Sequence, residues 1–232
     1  MKKILIVTLS LLLSTVIFAQ NNVTQFLGIS VDGSKSAMIE KLKAKGFSYD
    51  AVNDVLEGQF NGRSSNIYIA TNKNKVYRIM VADADVSSET DIRIRFNKLS
   101  GQFEHNGKYI PSDMIQYFLG KYRIDEDVDI SYEMTVHNKR FQAGFYQFSD
   151  EDGIDSAALK NMITDRLMRY EEDGRDDMTE DEVIKMVINL WDSFTKPISH
   201  KSVWFTISEY RGKYYIIIYY DNELNMANGE DL

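Results

Sequence analysis

Apolar residues recur along the chain at two spacings: every three or four residues, as in helices, and every second residue, as in strands. Met38 and Leu42 are apolar positions four residues apart, after the N-cap candidate Ser34 and before Gly46. Side chains at this spacing share one face of a helix, and glycine tolerates the backbone conformation that ends one. The pattern predicts a short amphipathic helix from about Ser34 to Lys45.

A three-stranded antiparallel meander is predicted next. The segment Val55–Phe60 meets Asn61–Gly62, a dipeptide that tolerates the positive φ angles of a tight hairpin. The return strand places Ile67 and Ile69 on one face, and a further turn leads into Val76–Val81. Consecutive strands joined by turns this short pair antiparallel.

Helices and hairpins follow the meander. Capping residues at Ser87–Asp91 precede an apolar stripe with helical spacing, which predicts a helix packed on the sheet: Ile92, Phe96, Leu99 and Phe103. The other predicted elements are a short helix from Met114 to Gly120, a hairpin of Asp129–Val136 and Arg140–Phe148 turning at His137–Asn138, a helix carrying Leu159, Ile163 and Leu167, a helix beginning at Thr179, and a hairpin of Lys201–Glu209 and Lys213–Asp221.

These elements predict an α+β fold, with an antiparallel β-meander and hairpins and with amphipathic helices packed on one face. The order strand, acidic turn, capped helix occurs at Val76–Leu99 and again at Arg140–Leu167, which suggests two related units. We therefore expect residues 21–108 to form a helix–meander–helix unit. Residues 109–232 would form a second α+β unit, with two hairpins around two helices.

The first twenty residues predict a cleavable signal peptide. Lys2 and Lys3 precede an apolar run from Ile4 to Phe18, and Ala19 stands before polar chain. The run is shorter than the ~20 residues that span a bilayer, so a membrane span in the mature chain is not expected. An uncleaved amphiphilic anchor is the alternative. The sequence contains no cysteine, which excludes a lipid-anchored cysteine and disulfide bonds.

Composition is that of a globular protein with an acidic surface. Hydrophobic residues make up 44% of the chain, enough for a packed core without disulfides. The formal net charge is −8, and removal of Lys2 and Lys3 would bring it to about −10. This charge disfavours nucleic acid as a partner, because nucleic-acid binding requires a cationic surface.

Recognisable catalytic and metal-binding motifs are absent from the sequence. The three histidines, His105, His137 and His200, have no partner at metal-ligand spacing, and no cofactor or metal site is predicted. Glu133, in a predicted strand, and Glu209, at a strand end, are candidates for the acid and base of a hydrolase. That enzyme is the alternative function.

The last hairpin carries the most aromatic residues. Alternation places Tyr215, Ile217 and Tyr219 on one strand face, with Trp204 on the preceding strand. Two interpretations are open: both faces are buried in the middle of a sheet, or one face lines a ligand site. For the second interpretation the candidate ligand-binding residues are Trp204, Tyr215 and Tyr219.

Several stretches give the chain a resemblance to a group of exported proteins of gut Bacteroides: Phe26–Ile29, Asp32–Ser34, Lys41–Phe47, Tyr77–Ala82, Tyr219–Asn222 and Ala227–Leu232. The resemblance implies export and brings no activity with it. Asp155-Ser156-Ala157 is similar to the O-glycosylation acceptor sequence of such proteins, so Ser156 is a candidate glycosylation site. The order of helices and strands in the chain is loosely similar to that of β-lactamase-inhibitor-like proteins. This similarity implies that the chain interacts with a partner molecule.

We therefore expect an exported binding protein, periplasmic or secreted. Its partner would be a protein, a peptide or a carbohydrate. The hydrolase and a structural component of the cell envelope are the alternatives.

Overall fold

The α+β class is confirmed by a computed structural model, which describes residues 22–118, 120–153, 155, 161, 162, 165 and 179–227. The strands are β1 (Gln25–Phe26), β2 (Ile29–Ser30), β3 (Ser48–Asp50), β4 (Val55–Phe60), β5 (Arg63–Asn72), β6 (Lys75–Asp83), β7 (Tyr109–Pro111), β8 (Gln142–Gln147), β9 (Lys201–Tyr210) and β10 (Lys213–Asn222). The helices are α1 (Lys35–Lys43), α2 (Glu89–His105), α3 (Met114–Phe118), α4 (Ile130–Thr135) and α5 (Glu180–Thr195).

Eight strands form one antiparallel sheet in the order β3-β4-β5-β6-β10-β9-β8-β7, and β1 and β2 form a separate small hairpin. The meander β4-β5-β6 and the hairpin β9-β10 were both predicted. Pairing of β6 with β10, in which Met80 lies opposite Tyr219, joins them. Strands from before and after residue 108 therefore belong to a single sheet.

The main hydrophobic core lies between one face of this sheet and the helices α1 and α2. The predicted stripe of α2 (Ile92, Phe96, Leu99 and Phe103) is buried there, as is Leu42 of α1. Alternate residues of the central strands complete this core: Ile67, Ile69, Ile79, Val81, Phe205, Ile207, Ile216 and Ile218. We call this side of the sheet the core face.

A second, smaller core lies on the opposite side of β7 and β8. Ile110 pairs with Tyr146, and both project away from the core face because their neighbours Tyr109 and Phe145 belong to it. Val187 and Trp191 of α5 cover this end of the sheet, together with Met114, Phe148 and Ile198. The buried residues of α5 therefore cover only the β7–β8 end of that side of the sheet.

The predicted strand Asp129–Val136 is wrong, because residues 130–135 form helix α4. The Asp129 carboxylate caps this helix by accepting a hydrogen bond from Tyr132 N at 2.7 Å. Glu89 of α2 accepts another from Ile130 N at 2.7 Å, and Ile130 is buried against the main core. Glu133 is consequently a helical residue.

Some sequence-based predictions lie outside the described residues. These are the signal peptide, the glycosylation candidate Ser156, and the apolar positions Leu159, Ile163 and Leu167. Among the helices of the described part, none combines the length and the apolar character that crossing a membrane requires.

Candidate functional site

The candidate site lies on the side of the sheet opposite α1 and α2, which we call the open face. Its residues alternate with buried core residues along each strand and are half-buried or exposed. Five of them form one row across five strands, because strand register places them side by side: Tyr68, Met80, Tyr219, Trp204 and Gly144. This row combines aromatic rings, a thioether and a glycine.

Of the three candidate ligand-binding residues, two are brought into contact. Trp204 and Tyr219 stack with ring centroids 3.9 Å apart and an interplanar angle of 10°. Tyr215 lies on the same face opposite Ser208, four residues along β10 from Tyr219 and thus about 13 Å away. Residues on the other face of β10, such as Tyr214 and Tyr220, are buried. The site therefore centres on Trp204 and Tyr219.

An ion pair beneath the stack holds its orientation. The indole N–H of Trp204 donates a hydrogen bond to Asp221 Oδ2 at 2.9 Å. Asp221 is 2% exposed and also accepts two hydrogen bonds from Arg78, at 2.5 and 2.7 Å. A bidentate, charge-assisted pair of this kind fixes both partners in one geometry. Both the position and the rotation of the indole are thereby restrained.

The Arg78 guanidinium also contacts both rings of the stack. Its central carbon lies 5.0 Å from the Tyr219 ring centroid and 5.7 Å from that of Trp204, within the range of cation–π attraction. The hydrogen bonds to Asp221 raise the pKa of Arg78, so its charge is permanent. Burial raises the pKa of Tyr219, against the opposing effect of Arg78, which keeps the phenol protonated at neutral pH.

Gly144 lies on the opposite side of Trp204 from Tyr219. A Cβ at this position would stand 3.8 Å from Trp204 Cβ and only 2.5 Å from Ser112 Oγ. Ser112 therefore occupies the space that a side chain at this position would need, and a groove of about 840 Å³ lies between Trp204 and residues of the segment 112–128. In the described residues, Trp204 has no aromatic neighbour other than Tyr219. One indole face is stacked on protein, and the other borders this groove.

The two candidate carboxylates of a hydrolase have local partners. Glu133 contacts His137 at 3.1 Å and Lys139 at 3.6 Å. Glu209 accepts a hydrogen bond from Gly212 N and so closes the β9–β10 turn. Neither carboxylate is among the described residues that line the groove.

The sequence did not identify five residues of the site: Tyr68, Arg78, Met80, Gly144 and Asp221. Arg78 is a charged residue in an otherwise apolar predicted strand. A charge that becomes buried needs a partner, so Arg78 was the one signal in the sequence for a buried ion pair. Asp221 is separated from it by 143 residues, so the pairing depends on the order of strands in the sheet.

Comparison with known proteins adds no further constraint. No protein-family model, no curated protein and no solved structure matches this chain.

Proposed function

We propose that this chain is a binding protein whose open face engages a protein or peptide partner around Trp204 and Tyr219. A single observation carries the proposal: a half-buried indole is locked by stacking on one side and by a buried carboxylate below, while its other side borders a groove.

The composition of the site supports a protein partner. Tryptophan, tyrosine and arginine are the residues that most often dominate the binding energy of protein interfaces, and methionine is enriched there too. Trp204, Tyr219, Arg78 and Met80 lie side by side on adjacent strands.

Rigidity of the stack favours tight binding. Ordering a free side chain at an interface costs about 0.5–1.5 kcal/mol. Trp204 is already held by Tyr219 and by the hydrogen bond to Asp221, so most of this cost is met when the protein folds. A partner side chain can then enter the groove beside Trp204 and contact a preformed indole surface.

We further propose that binding takes place outside the cytoplasm. The support is the basic start, apolar run and small residue of positions 1–20, a pattern typical of export signals. The acidic surface is consistent with a partner that presents basic or neutral groups.

The test compares the full chain with its Trp204→Ala variant as immobilised bait for envelope extract, followed by calorimetry with each purified protein retained. We expect Trp204→Ala to weaken the affinity about 30-fold, as for an interface hot spot. Tyr210→Ala is the matched control, since Tyr210 is a 55% exposed aromatic residue at the far end of β9. Equal affinity of the Trp204→Ala variant for every retained protein would refute the proposal.

A further inference from the structure

A second cavity lies on the core face, beneath the β1–β2 hairpin, and we call it the hairpin cavity. Its volume is about 660 Å³, within the range of small-molecule sites. The walls come from the hairpin, from the end of α2 and from the strands β7, β8 and β10. None of its described lining residues also lines the groove beside Trp204.

Two tyrosine hydroxyls at this cavity have unused hydrogen-bonding capacity. Tyr220 is 5% exposed, and its hydroxyl has no hydrogen-bond partner within the described residues. The Tyr109 hydroxyl accepts from Gln147 Nε2 at 3.0 Å, which leaves its own proton available. Burial raises the pKa of both phenols, that of Tyr220 well above its ordinary value, so both hydroxyls remain donors.

Carboxamides provide further donors and acceptors. Asn61 and Gln102 hydrogen-bond each other in both directions, at 2.8 and 3.3 Å. Each amide keeps one N–H and one oxygen lone pair for another partner. The Asn106 side chain accepts from Lys108 N through its oxygen and retains its NH₂ group. Groups that both donate and accept are the natural partners of alcohol hydroxyls.

Charges of the two signs are balanced at the cavity. The Lys201 amino group lies 2.7 Å from both carboxylate oxygens of Asp152 and is almost fully buried. Lys108 and Asp150, the other charged lining residues, carry opposite charges. A charged ligand would lose hydration at a lining whose positive and negative groups balance, and so would gain no net attraction. A neutral ligand has no such disadvantage.

Aromatic rings form the apolar part of the wall. Phe60, Phe103, Tyr109 and Tyr220 all line the cavity, and Phe103 meets Tyr109 edge to face at 4.8 Å. Pyranose rings present C–H groups on their faces and hydroxyls at their edges, which suits aromatic walls combined with amides and phenols.

We propose that the hairpin cavity binds a neutral polyhydroxylated small molecule of the size of a mono- or disaccharide. The Tyr220 and Tyr109 hydroxyls donate to the ligand, the Asn61–Gln102 pair exchanges hydrogen bonds with it, and the aromatic wall covers its apolar face. The hairpin closes one side, because Gln147 bonds the backbone of Gln25 at 2.6 and 3.1 Å.

The experiment titrates the full chain with glucose, galactose, N-acetylglucosamine, cellobiose and lactose, and with the charged sugars glucuronate and glucosamine. Saturation-transfer NMR detects binding, and calorimetry measures the affinity. We expect at least one neutral sugar to bind. Tyr220→Phe, which removes only the hydroxyl, should weaken that affinity at least tenfold.

Matched variants separate this site from the open face. Tyr214→Phe alters an equally buried tyrosine on the core face of the same strand, away from the cavity, and should leave sugar affinity unchanged. Trp204→Ala should leave it unchanged as well. The proposal is overturned if no neutral sugar binds at millimolar concentration, if charged sugars bind more tightly, if Tyr220→Phe binds like the wild type, or if Trp204→Ala abolishes sugar binding.

Discussion

Arg78 and Asp221 form a bidentate ion pair across the adjacent strands β6 and β10, with Nε–Oδ1 at 2.5 Å and Nη2–Oδ2 at 2.7 Å. The same carboxylate accepts the indole N–H of Trp204. One buried acidic group therefore links the meander to the last hairpin and supports the aromatic stack. Loss of this group should affect both the stability of the fold and the candidate binding surface.

The first prediction is that Asp221→Ala lowers the free energy of unfolding by about 3 kcal/mol, since removing one partner of a buried ion pair leaves the other uncompensated. The side chains of Asp221 and Arg78 are only 3% and 26% exposed. Urea denaturation followed by circular dichroism measures the change. Trp fluorescence should shift as well, because Trp204 loses its hydrogen-bond acceptor.

The matched control is Glu40→Ala, which removes the Lys43–Glu40 pair on the surface of α1, where both side chains are largely exposed. Exposed pairs contribute little, so the change should stay within about 0.5 kcal/mol. Equal losses in the two variants would mean that burial of the Arg78–Asp221 pair has no energetic consequence.

Local patterns in the sequence predicted most of the fold. The stripe of α2, the hairpin at Asn61–Gly62 and the two faces of β10 all follow from spacing and turn chemistry, and the structure agrees with them. The position of β10 beside β6 could not be predicted this way, because nothing local specifies which strands become neighbours. Alternation within the last hairpin was enough to identify Trp204 and Tyr219 as site residues. The Arg78–Asp221 pair depends on the pairing of β6 with β10 and was not identified.

The failure at residues 129–136 has a tertiary cause. This stretch mixes apolar, aromatic and β-branched residues, a composition that fits a strand. The Glu89 carboxylate of α2 accepts the Ile130 N–H, and burial of Ile130 fixes the segment against the core. Contacts from another element thus outweighed local propensity.

A second prediction tests the cap of α4. Asp129→Ala should reduce stability by about 1 kcal/mol, because the Tyr132 N–H loses its acceptor. Asp127→Ala removes a nearby exposed carboxylate that makes no hydrogen bond within the described residues, and should have little effect. Thermal denaturation of both variants measures the difference. An effect of Asp129→Ala no larger than that of Asp127→Ala would contradict the assignment of Asp129 as the N-cap of α4.

A third prediction concerns Gly58 in β4, on which the buried ring of Phe47 packs directly. A Cβ at Gly58 would stand 2.4 Å from Phe47 Cδ1 and 2.9 Å from Cε1. Gly58→Ala should therefore cost about 2 kcal/mol by overpacking. At Gly107 an added Cβ meets no atom within 4 Å, so Gly107→Ala should be nearly neutral. Chemical denaturation that ranks these two substitutions the other way would contradict this packing.

The last prediction concerns pH and the buried pair of Asp152 and Lys201. Burial acts to raise the pKa of Asp152, but the hydrogen bonds from Lys201 and Ser149 outweigh it and hold that pKa below its usual value of 3.8. A carboxyl whose pKa is depressed by folding contributes stability above its unfolded-state pKa. That contribution is lost as the pH falls through the folded-state value. The relevant window therefore lies below about pH 4.

Asp152→Asn should lower the free energy of unfolding by about 2 kcal/mol at pH 7, because Lys201, whose side chain is 3% exposed, keeps its charge without a counter-ion. The gap to the wild type should narrow as the pH falls from 4 towards 2, since the wild type then loses the same interaction. Urea denaturation at pH 7, 5, 4, 3 and 2 gives both curves. Asp85→Asn, at an exposed position, should run parallel to the wild type. If the Asp152→Asn curve also runs parallel, the ion pair does not contribute to acid sensitivity, and Lys201 must be stabilised by another group.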